Sequence, residues 1–126
     1  MAKAKQNQGL SRAEHLRTAR DFQRVFERRC SANDEWLQVY GVNNGLPYSR
    51  LGLSVGRKWG PAVVRNRIRR LYREAYRLTK SSLPQGLDLV FVPRKADGIA
   101  LAKLLSAVPQ LIQMVSDRLA RSRPPR

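Results

Sequence analysis

The side chains best placed to do chemistry in this chain are arginines. In the stretch VGRKWGPAVVRNRIRRLYREAYRL, Val55 to Leu78, Arg65, Arg69, Arg73 and Arg77 recur at i, i+4. That spacing puts them on one ridge of a helix, with Arg67 and Arg70 on its flank. Guanidinium groups recognise anions rather than break bonds: their forks match phosphate oxygens and their planes stack on bases. Other chemistry is poorly supplied. His15 is the only histidine and lies in a segment that reads as flexible, a weak general-base candidate. Only Asp34-Glu35 are adjacent acids, so no carboxylate set converges on Mg²⁺. No G-x-S-x-G, Walker loop or zinc spacing occurs. Cys30 stands alone and reads as a partly buried small hydrophobe. Gly56 and Gly60 before a helix are a weak phosphate-site signal. No catalytic residue and no metal ligand is predicted.

The charge balance agrees with this reading. The 126 residues carry 25 Lys plus Arg against 9 Asp plus Glu, a net charge of +16, which calls for a polyanionic partner. A 42% hydrophobic share suits one domain with a modest core. No run of about 18 apolar residues could span a bilayer. MAKAKQNQG lacks the apolar segment of a secretory signal, so the expected location is cytoplasmic. Residues 1–10 read as a disordered basic arm, 11–121 as the domain and 122–126 as a short basic tail.

The elements that must position the arginines follow from periodicity. Thr18 to about Arg28 is a first helix: Thr18 and Asp21 resemble a capping box, and Phe22, Val25 and Phe26 share a face. Two phenylalanines at this spacing are core side chains by default; the alternative is a groove that stacks bases. Trp36–Val42 alternates as a strand, with Leu37 and Val39 pointing one way. Asn43-Asn44-Gly45 and Pro47 read as the turn of an antiparallel hairpin to a second strand, Arg50–Gly56. One face of that strand, Gly52, Ser54 and Gly56, is nearly bare and admits a close approach by a helix or a ligand backbone. The stretch Val55–Leu78, opened by Gly60-Pro61, reads as one helix running to about Thr79. It buries Val64, Ile68, Leu71, Tyr72, Ala75 and Leu78, sets its arginine ridge opposite, and places Glu74 to pair with Arg70 or Arg77. Asn66 could bond RNA or cap a local turn. Asp88–Val92 is apolar on both faces, a strand covered on both sides. Leu101, Leu104, Leu105, Val108, Leu111, Ile112, Val115 and Leu119 form the stripe of a last helix, which Pro109 should kink or break. The fold class is a small single α+β domain in α-β-β-α-β-α order, with room for one extra short strand.

The context GLSVGRKWGPAVVRNRIRRLYREAYR, centred on Arg65-Asn66-Arg67, resembles the protein component of bacterial ribonuclease P. Asp21-Phe22-Gln23-Arg24-Val25-Phe26 and Asp88-Leu89-Val90-Phe91-Val92-Pro93-Arg94-Lys95 match it too, so the likeness spans roughly residues 16–120. Pro61 departs from it, since the family more often has a polar residue such as Asn there. The resemblance implies a mixed sheet with a left-handed β-α-β crossover. It implies an accessory subunit of a ribonucleoprotein endonuclease in which the RNA subunit, with Mg²⁺, removes the 5′ leader of precursor tRNA. The RNA subunit and precursor tRNA would be the partners, with no membrane, no protein partner and no cofactor bound by the protein itself. Arg65, Asn66, Arg67, Arg69, Arg70 and Arg73 would then bind the RNA subunit. Phe22, Phe26 and Tyr40 would line a groove for the leader, with Arg57 and Lys58 at its edge. A ribosomal or DNA-binding protein using the same helix in a groove is the competing reading, and a stand-alone nuclease a distant third. A membrane-surface role is disfavoured, because the charged face carries no large apolar stripe.

Overall fold

The computed structural model describes residues 10–95 and 101–121. The basic arm up to residue 9 and the tail 122–126 lie outside them. Helix α1, Ala19–Arg28, starts where Thr18 Oγ1 accepts a hydrogen bond from the Asp21 amide at 3.1 Å. That contact satisfies one of the donors a helix start leaves over. Strands β1 (Ser31–Asn33), β2 (Leu37–Asn43) and β3 (Arg50–Leu53) follow. Helix α2 is Ala62–Thr79, β4 is Leu87–Pro93 and α3 is Leu101–Arg121. The extra short strand allowed for in the sequence is β1.

The sheet order is β1-β2-β4-β3. The alternating side chains of β4 explain the layers. Leu89 and Phe91 join the main core with α2 and α3, while Val90 packs with Val25 and Leu16 beneath α1. A strand apolar on both faces must be covered on both, and β4 accordingly lies in the sheet interior.

That placement corrects the expected hairpin. β2 and β3 do not pair with each other. β4 lies between them, antiparallel to β2 from Leu37↔Pro93 to Asn43↔Leu87 and parallel to β3 from Arg50↔Asp88 to Leu53↔Phe91. The segment 44–49 is a wide loop folded on Asn44. Its Oδ1 accepts from the Leu46 amide at 2.7 Å, and its Nδ2 donates to the Tyr48 carbonyl at 3.1 Å. α2 then crosses over between the neighbouring parallel strands β3 and β4.

Two helix expectations also change. α2 begins at Ala62, not Val55: Arg57–Trp59 form a 3-10 turn, and Pro61 is the residue before the first helical turn. Its buried residues are Ile68, Tyr72, Ala75 and Tyr76, whereas Leu78 is 38% exposed. In α3 the helix passes through Pro109 without a break. Buried Val108, Leu111 and Ile112 hold it on both sides of that residue.

Among the described residues one charged side chain is buried. Asp88, at the second position of β4, is 0% exposed. Its carboxylate accepts from Arg50 Nε at 2.8 Å and Nη2 at 2.6 Å, from Asn44 Nδ2 at 2.9 Å, and from Arg24 Nη2. Burial pushes this carboxyl up, but the hydrogen bonds from Arg50, Asn44 and Arg24 outweigh it and hold the pKa below its ordinary value. A carboxyl depressed on folding stabilises the protein above its unfolded pKa, near pH 4, and that contribution is lost as pH falls through the lower folded value. Asp88→Asn should therefore cost about 3 kcal/mol at neutral pH, measured by urea unfolding, because two arginines lose their counter-charge. The variant should also lose much of the acid sensitivity of the parent. Parent-like stability at pH 7 would show that the pair contributes no net stability.

Candidate nucleic-acid interface

The first surface lies along α1. Val25 is fully buried, and Phe22 and Phe26 on either side of it are half-buried. Phe26 meets Tyr40 of β2 edge to face, with ring centroids 4.9 Å apart. Phe22 packs on Gly52 of β3: a Cβ built there would lie 2.5 Å from Phe22 Cζ. The bare strand face thus admits a helix side chain. The core reading of the phenylalanines holds in part, and a cleft lies against them. Their rings rest on the second apolar cluster and also line a cleft of about 530 Å³ with Gln23, Arg29 and Ser54.

The expected leader residues are only partly brought together. Phe22 and Phe26 line the cleft, and Tyr40 supports it through Phe26. Arg57 and Lys58 do not line it. They are exposed on the 3-10 turn that follows Ser54, with Lys58 Nζ 5.6 Å from the Trp59 ring centre. Glu27 also lines the cleft and accepts from Gln23 at 2.9 Å. Ser54 lies on the bare strand face that the sequence marks for a close approach, whereas Gln23 and Arg29 were not assigned to the groove, because a polar residue beside a cleft has no periodic signature.

The second surface is the outer face of α2, and the ridge is not opposite the core along its whole length. Steps of four residues overshoot a full turn by about 40°, so an i, i+4 row winds round the helix. Arg65 starts beside the buried face, half-buried, with Nε donating to the Gly60 carbonyl at 3.1 Å. Arg69 and Arg73 are half-buried, while Asn66, Arg67 and Arg70 are exposed. Asn66 Oδ1 accepts from Arg69 Nη1 at 2.8 Å, a local bond rather than a cap. Of the two partners expected for Glu74, Arg77 takes it, at 2.5 Å.

His15 is held rather than loose. The neighbouring Leu16 amide donates to the Leu51 carbonyl at 2.9 Å, and Leu16 is buried. His15 lines a pocket of about 340 Å³ with Leu10, Arg70, Arg73, Glu74 and Arg77. Burial and the charges of Arg73 and Arg17 push its pKa down, favouring neutral imidazole. Lys80 bonds Glu14 at 2.9 Å and fixes this N-terminal turn to the end of α2. Among the described residues no three His, Cys, Asp or Glu side chains could hold a metal ion, and no helix is long and apolar enough to cross a membrane.

Fold and surfaces together define a small, strongly basic α+β domain with an arginine face on one helix and an aromatic cleft beside another. The family described as Ribonuclease P matches residues 10–116. The ribonuclease P protein component of Thermotoga petrophila is 43% identical over 88 residues, which cover 70% of this chain and 75% of that protein. The solved RNase P protein of Thermotoga maritima superposes with a TM-score of 0.71 at 35% identity, covering 79% of this chain and 96% of that one. That of Staphylococcus aureus gives 0.70 at 28%, covering 82% and 95%. The chain belongs to the ribonuclease P protein component family.

The contact between Phe22 and Gly52 yields a direct test. Gly52→Ala should displace the Phe22 ring and cost about 1–3 kcal/mol of stability, read by denaturant unfolding. Retained stability would mean that the ring shifts freely and does not fix the cleft.

Proposed function

We propose that this chain is the subunit of ribonuclease P that binds the catalytic RNA through α2 and the 5′ leader of precursor tRNA through the α1 cleft. The leader is then cut off to leave the mature tRNA 5′ end. The observation that carries the reading is the separation of two unlike surfaces on one rigid domain in a member of this family. The arginine face of α2, with Arg67 and Arg70 outermost, suits a folded RNA rich in phosphates. Arg65, Asn66, Arg69 and Arg73 complete that set, and Arg65 also steadies the helix start. The half-buried rings of Phe22 and Phe26, with Tyr40 behind, suit unpaired bases, since every base has a face that stacks. Arg57 and Lys58 stand beyond Ser54 as phosphate contacts at the edge.

The chemical step is assigned to the RNA subunit with Mg²⁺, whose bound ion would activate water and stabilise the departing oxygen. The described residues supply no converging carboxylates for it. What the protein contributes is position and charge: it lowers the repulsion between leader and catalytic RNA and limits the leader's freedom. The decisive experiment is reconstitution with the RNA subunit of the same organism, scored for 5′ maturation of precursor tRNA at low Mg²⁺. No stimulation over RNA alone would defeat the proposal. Co-purification with ribosomal RNA or DNA instead would favour the competing reading.

Two quantitative expectations follow from the geometry. With Arg67, Arg69, Arg70 and Arg73 each neutralising a phosphate, log K for the RNA subunit against log salt should have a slope of roughly −3. A slope near zero would remove the arginine face from the interface. Arg67→Ala should weaken RNA-subunit binding about tenfold with leader affinity little changed, and Phe22→Ala should do the reverse. Equal defects in both assays would refute the division of labour.

A further inference from the structure

Beyond α1 the basic surface continues to a place the family signature does not mark. Arg29, the residue that ends α1, has φ 58° and ψ 26°. It is the only non-glycine with positive φ among the described residues. Helices favour glycine or asparagine in this left-handed position, because a Cβ is strained there. The backbone around it is tightly held. The Arg29 amide donates to the Phe26 carbonyl at 3.1 Å, and the Cys30 carbonyl accepts from the Gly41 amide at 3.0 Å. The Cys30 side chain is buried, its Sγ 3.8 Å from the Val115 carbonyl oxygen. An arginine kept in a strained position on a fixed backbone points to a task for its side chain.

Its surroundings indicate which task. Arg29 lines the aromatic cleft and also a second pocket of about 420 Å³, formed with Arg28, Cys30, Ser31, Arg118 and Arg121. Among the described residues, four of the six that line it are arginines and none is a carboxylate. Arg118 donates to the Ser31 carbonyl, fastening the end of α3 to β1. α2 contributes no residue here, so this pocket is separate from the arginine face.

We propose that this four-arginine pocket holds a backbone phosphate of the single-stranded leader after it leaves the aromatic cleft, with Arg29 as the shared wall. The proposal rests on the leader reading of the cleft and extends it by a specific anchor. The leader is preferred to the catalytic RNA because Arg29 lines both the pocket and the cleft, and no described residue of α2 lines the pocket. An RNA phosphate from the catalytic subunit would present the same chemistry, and the experiment separates the two sources.

The test uses the reconstituted holoenzyme and precursor tRNAs whose leaders are lengthened one nucleotide at a time. Parent affinity should rise in two stages, as the leader fills the cleft and then reaches the pocket. Arg29→Gly should raise Tm by about 4 °C, since glycine relieves the left-handed strain. It should also lose the second stage, binding long leaders about five- to tenfold more weakly. Arg121→Gln, which leaves the α1 terminus untouched, should lose the same stage with Tm unchanged, and each variant should lower the salt slope by about 0.7. A higher Tm with unaltered binding at every leader length would overturn the proposal. So would a defect confined to RNA-subunit affinity, which would give the pocket to the catalytic RNA. If parent affinity ignores leader length altogether, the cleft reading falls as well. If the parent responds to length and both variants respond equally, only the pocket falls.

Discussion

The carboxylate of Asp88 is the point on which the rest of the structure turns. It belongs to β4, whose buried side chains enter both apolar clusters, and it is gripped from three directions: by Arg50 of the parallel neighbour, by Asn44 of the wide loop, and by Arg24 of α1. Each grip fixes a separate element. Arg50 sets the register of β3, since it stands directly opposite Asp88. Asn44 closes the loop that carries the chain past β4. Arg24 pulls α1 onto the sheet, leaving Phe22 and Phe26 between core and solvent. A buried ion pair gains little over apolar packing, because desolvation offsets the attraction. Its value here is specificity. A carboxylate that must find partners permits one arrangement of strands where an apolar residue would permit several.

A chain with net charge +16 also has to fold against its own repulsion. Among the described residues three carboxylates make long-range ties: Asp88 to α1 and β3, Glu14 to Lys80, and the exposed Glu35 to Lys95 at 3.9 Å. Glu74 answers Arg77 within its own helix. Most of the remaining positive charge is left in water, on the outer side of α2 and around the end of α1. Such a distribution does nothing for the isolated fold and is offset only when a polyanion arrives. The buried apolar faces of α2 and α3 serve stability, while Arg67 and Arg70 stay exposed to a polyanion.

How far the sequence could reveal this depends on the range of each interaction. The helices were legible because their signal is local: Thr18 at the cap, the stripe from Leu104 to Leu119, and Ile68, Tyr72 and Ala75. The hairpin was misread for the same reason. A turn signature at Asn43–Gly45 reports that the chain reverses, not which strand it then meets, and the two-sided hydrophobicity of β4 was the stronger clue to the sheet centre. Asp88 lay hidden as the one polar letter in an apolar run, with partners 38, 44 and 64 residues away. Leu78 and the winding of the arginine ridge failed through idealisation. A row read as straight over four turns drifts towards the flank. The cleft residue Arg29 carried no pattern, being placed by topology, while Ser54 was legible only as part of the bare face it shares with Gly52 and Gly56.

The half-burial of the aromatic rings is what links fold to function most closely. A stacking platform is useful only if its rings do not have to be ordered when the base arrives, because every side chain immobilised on binding reduces affinity. Phe22 is wedged on Gly52, and Phe26 is braced by Tyr40 from the neighbouring strand, so both are already fixed in the free protein. On the leader reading proposed above, pre-ordered rings would give affinity without sequence preference, the property a binder of variable single strands requires. That combination depends on α1 being docked, and the docking in turn depends on Arg24 reaching a carboxylate that the apolar strand β4 carries beneath it.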